Sequence, residues 1–144
     1  MRANKGRSVN RCFSFPRRHQ GQVMPYRLDF TRRYGRAFYR GDDRTISFES
    51  SEDGVAKDLT GATFLAQVRA NPGTPVLLTM TVSLLSAAAG TWRLTWAAAD
   101  GAALLGAGET TPAVYWYDIQ RTLGGVVTTL LYGQLEVLPD ISRA

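Results

Sequence analysis

AVYWYDIQRTLGGVVTTLLYGQLEVLPD, residues 113–140, contains two runs rich in β-branched and aromatic side chains, joined by Gly124 and Gly125. The two runs are about 9 and 13 residues long. Such runs on either side of a two-glycine turn predict a β-hairpin. This hairpin is the clearest structural element in the chain, and it predicts a β-rich fold.

Three runs before the hairpin alternate apolar and polar residues, which predicts half-buried strands. The expected inward side chains are Ile46 and Phe48; Phe64, Ala66 and Val68; and Trp92, Leu94 and Trp96. The run 76–82 is apolar enough to predict a strand buried on both faces. The alanine-rich stretch 97–105 predicts one or two helical turns that cap the core.

Turn-forming sequences separate these runs at intervals typical of all-β domains, for example Asp53-Gly54 and the stretch 71–73. No long helical pattern lies between them. We therefore expect an all-β fold, an antiparallel Ig-like or jelly-roll-like β-sandwich of seven or eight strands with one short helical turn.

Charge divides the chain unevenly. Residues 1–40 contain ten arginines and one lysine against a single acidic residue, Asp29, whereas residues 41–144 contain six basic and eleven acidic residues. This asymmetry predicts an extended basic N-terminal arm over residues 1–37 and a β-sandwich domain over residues 38–144. Met24 would serve as an alternative start, and translation from it would remove six of the positive charges.

Aromatic residues alternate with arginines in YRLDFTRRYGRAFYR, residues 26–40. The i, i+4 spacing of its aromatics fits one face of a helix, or a segment that lies over an apolar groove. The segment would pack on this domain or on a neighbouring subunit with its arginines reaching water; a single-stranded nucleic acid or an anionic surface are the alternatives. Together with Trp116 of the hairpin, the candidate partner-binding residues are Tyr26, Phe30, Arg32, Arg33, Tyr34 and Arg36.

Residues suited to catalysis or metal binding are few. His19 is the only histidine and Cys12 the only cysteine, so neither a nucleophile with an oriented base nor a zinc site is expected. The acidic pairs 42–43 and 52–53 lack the ligand spacing of a calcium loop, and Asp118 lacks a second carboxylate at a set spacing. We expect no catalytic residues, no cofactor and no metal. The sequence also lacks a secretory signal and an apolar run long enough to span a membrane.

Short phrases spread over residues 38–143 resemble a family of phage structural domains. They are the stretches 39–42, 58–63, 115–120 and 130–133, together with Val137. The pattern is similar to the N-terminal β-sandwich of upper baseplate proteins and to related short virion proteins of tailed bacteriophages. This sequence differs from the pattern in its basic N-terminal stretch, and we expect no long C-terminal extension.

The resemblance implies a non-enzymatic virion protein, in the tail, baseplate or head–tail region or on the capsid surface. Its partners would be other phage structural proteins, in a homo-oligomeric or symmetric array, and it would be assembled in the cytoplasm of the bacterial host. The competing hypothesis is a nucleic-acid-binding module that uses the arginine and aromatic residues of the arm. No membrane partner is expected.

Overall fold

Strands dominate the part of the chain that the computed structural model describes, residues 12–15 and 25–140. The strands are β1 Cys12–Phe15, β2 Tyr26–Arg27, β3 Phe38–Tyr39, β4 Arg44–Glu52, β5 Val55–Ala56, β6 Thr63–Arg69, β7 Val76–Ser86, β8 Thr91–Trp96, β9 Ala113–Leu123 and β10 Val126–Leu138. The helices are a 3₁₀ turn, Arg32–Tyr34, and α1, Ala98–Leu104. The predicted all-β class and the short helix before the final hairpin are confirmed.

The β9–β10 hairpin is the longest antiparallel pairing of the described chain, and it is confirmed in the predicted position. Gly124 and Gly125 have φ angles of 60° and 80°. Positive φ at both central residues is what a two-residue hairpin turn of the favoured twist requires. The register shifts between Thr129 and Leu131, and this irregularity lets the consecutive residues Leu130 and Leu131 both be buried.

One sheet runs through the described residues in the order β1-β4-β8-β7-β6-β9-β10-β2, with β3 beside β10 and β5 beside β4. The sheet is mixed, because β1 pairs in parallel with β4, and β2 and β3 pair in parallel with β10. The expectation of purely antiparallel pairing is therefore wrong for the strands that precede residue 40. The main strands of the body pair antiparallel as predicted.

The sheet curls at β7, whose first part pairs with β6 and whose second part pairs with β8. The prediction that this strand is buried on both faces is wrong. Met80 is buried, whereas Leu77 and Leu85 are 50% and 45% exposed. Because β7 forms the bend between the two halves of the sheet, only its concave face meets the core.

Stacked aromatic rings join the two halves of the curled sheet. Trp92 of β8 stacks on Phe48 of β4 and on Phe64 of β6, with ring centroids 4.4 and 4.9 Å apart. Its indole nitrogen donates to Ser50 Oγ at 3.1 Å, which satisfies a buried donor. Trp92, Leu94 and Trp96 are all buried, so the predicted inward face of this strand is confirmed.

Residues 26–39 lie along the edge of β10 and contribute to the core. Leu28 N donates to Tyr132 O, Phe30 N donates to Gln134 O, and Glu136 N donates to Phe30 O. Leu28, Phe30 and Phe38 are buried, whereas Tyr26 and Tyr34 are 45% and 48% exposed. The four aromatics at i, i+4 spacing thus do not share one face, because two extended pieces separated by a tight turn carry them.

Among residues 12–15 and 25–140, no helix is long and apolar enough to cross a bilayer.

Replacing Phe30 with alanine should lower the free energy of unfolding by about 3–5 kcal/mol, because a fully buried ring leaves a cavity. Tyr34→Ala, in the same segment but half exposed, should cost less than about 1 kcal/mol. Denaturant unfolding followed by tryptophan fluorescence measures both. Equal effects of the two changes would mean that the segment does not belong to the folded core.

Candidate partner-binding surface

The arginine-rich segment, residues 26–40, forms one wall of an open groove of about 710 Å³ beside the edge of β10. We call this groove the arginine groove. Its opposite wall comes from β9 and β10. The lining residues are Arg27, Asp29, Thr31, Arg32, Arg33, Tyr34, Arg36, Val114, Gln134 and Glu136.

A tight turn places the arginines in this groove. Thr31 O accepts hydrogen bonds from the amides of Tyr34 and Arg36, at 3.1 and 2.9 Å. Gly35 ends the 3₁₀ turn with φ of 70°, a conformation that favours glycine, and its amide donates to Arg32 O. The turn brings Arg32, Arg33 and Arg36 close together although the flanking residues are extended.

A buried carboxylate holds the start of this turn. The Glu136 side chain is only 6% exposed, accepts a hydrogen bond from the Arg32 amide at 2.8 Å and forms an ion pair with Arg32 Nε at 3.1 Å. A buried carboxylate is costly unless it is paired and hydrogen-bonded. Glu136 is therefore committed to positioning the segment.

Asp29, near the N-terminal end of the segment 26–40, also holds it in place through hydrogen bonds. One of its carboxylate oxygens accepts from the Gln134 amide at 2.8 Å and from Arg27 Nε at 3.1 Å. Its main-chain carbonyl accepts from Arg36 Nε at 3.0 Å. These bonds occupy polar groups of an edge strand that would otherwise be open to pairing with another chain.

Arg33 and Arg36 differ from the other arginines of the groove. Their guanidinium carbons lie 5.5 and 5.2 Å from the centre of the Tyr34 ring, within the range of cation–π contacts. Within the described residues neither forms an ion pair with a carboxylate. The groove thus keeps two positive charges that its own acidic residues do not neutralise.

Trp116 lies near the groove on the outer face of β9 and is half-buried. The Arg27 guanidinium lies over its ring at 5.2 Å and near the Tyr132 ring at 6.0 Å. Arg27 therefore covers the aromatic side chains of this face, and it links Trp116 to the segment.

Asp118 lies on the same outer face and opposite Tyr132 and Gln67 in the register of the sheet. Burial raises the pKa of its carboxyl above the ordinary value, and the positive charge of Arg69 opposes that shift in part. The raised pKa follows from partial desolvation by the sheet, which is a structural cause.

The predicted partner-binding residues separate into three groups in the structure. Arg32, Arg33, Tyr34 and Arg36 line the groove. Tyr26 and Trp116 are not part of the lining: Tyr26 is exposed, and Trp116 is half-buried with Arg27 over its ring. Phe30 packs in the core against Phe38 and Tyr117, so its ring offers no surface to a partner.

Sequence reasoning missed six groove residues: Arg27, Asp29, Thr31, Val114, Gln134 and Glu136. Glu136 carried a signal that could have found it, since it is the only charged residue in the apolar run 135–138. Arg27, Val114 and Gln134 are ordinary strand residues, and Asp29 and Thr31 follow β2 in the chain. Only the pairing of β2 and β9 with β10 brings these five together.

The acidic turns considered for calcium serve the fold. Asp43 Oδ1 accepts from the Ala98 amide at 2.9 Å, and Glu52 forms an ion pair with Lys57 at 3.1 Å. Over residues 12–15 and 25–140, no group of three or more histidine, cysteine or acidic side chains is arranged to hold a metal ion.

Gly133→Ala should displace the segment from the sheet. A Cβ atom at Gly133 would lie 2.5 Å from Leu28 O and 2.7 Å from Asp29 Oδ1. We expect a loss of about 1–3 kcal/mol in the free energy of unfolding and faster hydrogen exchange of the Leu28 and Phe30 amides. Gly106→Ala is the matched control, since its nearest contact would be an ordinary 3.6 Å; a similar loss in both variants would contradict this account.

Asp118→Asn should stabilise the fold at neutral pH. Because the pKa of Asp118 is raised in the folded chain, the ionised carboxylate destabilises the fold. This cost is absent below the ordinary value of 3.8 and develops as the pH rises through it to the raised value. The difference in unfolding free energy between variant and wild type should therefore grow from about pH 3 to about pH 7. Asp53→Asn, in an exposed turn, is the control, and a variant that loses stability at neutral pH would refute the prediction.

No protein-family model matches this sequence, and the search of curated proteins returns no significant match. Among solved structures, the N-terminal domain of phage TP901-1 ORF48 aligns with 92% of this chain and 99% of its own length, at 10% sequence identity and a TM-score of 0.40.

Proposed function

We propose that this chain is a non-enzymatic structural component of a tailed bacteriophage particle. In this proposal the curled β-domain is an assembly module, and the arginine groove with the N-terminal region docks on neighbouring virion proteins. Its place is the tail, the baseplate or the head–tail region, within a symmetric or homo-oligomeric array of the particle.

The observation that carries the proposal is the construction of the arginine groove. The segment that carries its arginines is anchored in the core by Phe30 and bonded to β10 through Glu136 and Asp29. A surface whose backbone is already ordered loses less conformational entropy when a partner binds. Arginine and tyrosine are also enriched where proteins meet.

The sequence resemblance of residues 38–143 supports the phage assignment. One of its phrases, 58–63, is a turn in which the Asp58 carboxylate accepts from the amide and hydroxyl of Thr60, at 2.9 and 2.6 Å. Leu59 in the same phrase is fully buried. Residues 58–63 thus have a structural role in the fold. The proposed role in assembly rests on the groove together with the sequence resemblance.

The test is the composition of phage particles purified from the host that produces this chain. Quantitative mass spectrometry should find the chain at a fixed number of copies relative to the major capsid protein, in every preparation and after a further gradient step. A host protein that contaminates the same fractions is the control, since its ratio should vary. Absence of the chain from washed particles, or a ratio that varies as the contaminant's does, would refute the proposal.

A further inference from the structure

We infer that the arginine groove binds an acidic, extended segment of a neighbouring protein, with Arg33 and Arg36 as the residues that take its carboxylates. The inference rests on the proposed function, because it names the chemistry of the partner that the assembly module would dock on.

The two carboxylates of the groove are already paired with other arginines, so Arg33 and Arg36 are available to a ligand. Asp29 pairs with Arg27, and Glu136 pairs with Arg32, so each groove carboxylate is already matched to one guanidinium. Arg33 and Arg36 are the remaining basic side chains of the lining. A ligand with two or more carboxylates would neutralise them.

The two guanidinium groups are also held in place. Both lie over the Tyr34 ring, and Arg36 Nε donates to Asp29 O at 3.0 Å. Contact with a ring face leaves the in-plane N–H groups available, and the planar fork of arginine matches the two oxygens of a carboxylate. The geometry therefore favours carboxylates over a diffuse attraction to negative charge.

Exposed apolar surface lies in the same groove. Tyr34 is 48% exposed and Val114 is 49% exposed, and they line the groove together with the arginines. A peptide that carries apolar side chains between its acidic residues would contact both kinds of surface. The volume of about 710 Å³ is within the range of sites that hold a substantial ligand.

Nucleic acid fits this groove less well than an acidic peptide. Single-stranded nucleic acids bind by stacking their bases on free aromatic rings, but Arg27 already lies over the Trp116 ring. Beyond the groove, residues 41–140 contain eleven acidic residues against five basic ones. A long polyanion would be repelled by this body, whereas a short acidic segment can remain within the groove.

Fluorescence anisotropy of the full chain with labelled probes tests the inference. The probes are an octapeptide of alternating glutamate and leucine, a lysine–leucine octapeptide and an oligothymidine of eight nucleotides. We expect Arg33→Ala/Arg36→Ala to weaken binding of the acidic peptide roughly tenfold or more, since charge-assisted hydrogen bonds are lost.

Three further variants make the result specific. Arg93→Ala removes the same charge from the outer face of β8, and it should change the affinity by no more than about twofold. Arg33→Ala alone removes a side chain that makes no hydrogen bond within the described residues, so it should keep the wild-type unfolding midpoint and still weaken binding. Arg33→Lys/Arg36→Lys keeps the charge without the fork, and it should restore only part of the affinity.

Three outcomes would overturn the inference: no binding of the acidic peptide, equal binding by the double alanine variant, or tighter binding of oligothymidine that the same variant abolishes. The last outcome would assign the groove to nucleic acid.

Incorporation of the double alanine variant into particles separates this inference from the proposed function. Wild-type chain at a fixed copy number, with unchanged incorporation of the variant, would retain the virion role and refute the groove as the docking site. Binding of the acidic peptide through Arg33 and Arg36 by a chain absent from particles would support the groove chemistry and refute the virion role.

Discussion

The packing of Phe30 and Phe38 against each other, with ring centroids 5.2 Å apart, is the contact on which the groove and the edge of the sheet depend. Phe38 also stacks on Trp96 of β8 at 4.4 Å, and Phe30 packs on Tyr117 of β9 at 5.3 Å. This row of rings therefore connects both halves of the curled sheet through the segment that precedes the body. Between these two buried phenylalanines, residues 32–35 form an exposed turn.

Burying this row of rings also buries nearby polar groups, and neighbouring side chains satisfy their hydrogen bonds. The Tyr117 hydroxyl donates to Leu28 O, and burial raises the pKa of Tyr117 well above its ordinary value, with the negative charge of Asp29 adding to the shift. The phenol thus remains a neutral donor at any physiological pH. Glu136 and Asp29 satisfy main-chain amides of the same region, so the apolar and polar contacts hold the segment together.

Local patterns predicted the parts of the fold that local physics determines. The two-glycine turn, the alternation of Trp92, Leu94 and Trp96, and the alanine-rich helix depend on neighbours in the sequence. The exposure of one face of β7 could not be predicted from its apolar composition, because it depends on where the sheet bends. The groove depended on pairing over more than a hundred residues, as between Arg32 and Glu136, and no local pattern reports such a contact.

The composition of the segment 26–40 could not decide which kind of partner or contact it serves. Its aromatic and basic residues suit a nucleic-acid surface, a protein interface or a packed edge equally well. The structure divides them: Phe30 and Phe38 are buried, Arg27 and Arg32 pair with carboxylates, and Arg33 and Arg36 have no carboxylate partner among the described residues. In our proposal, a ligand meets the arginines that the fold has not paired with carboxylates, together with the apolar surface beside them. The proposed specificity of the groove then depends on which charges the fold has already paired, more than on the number of arginines in the sequence.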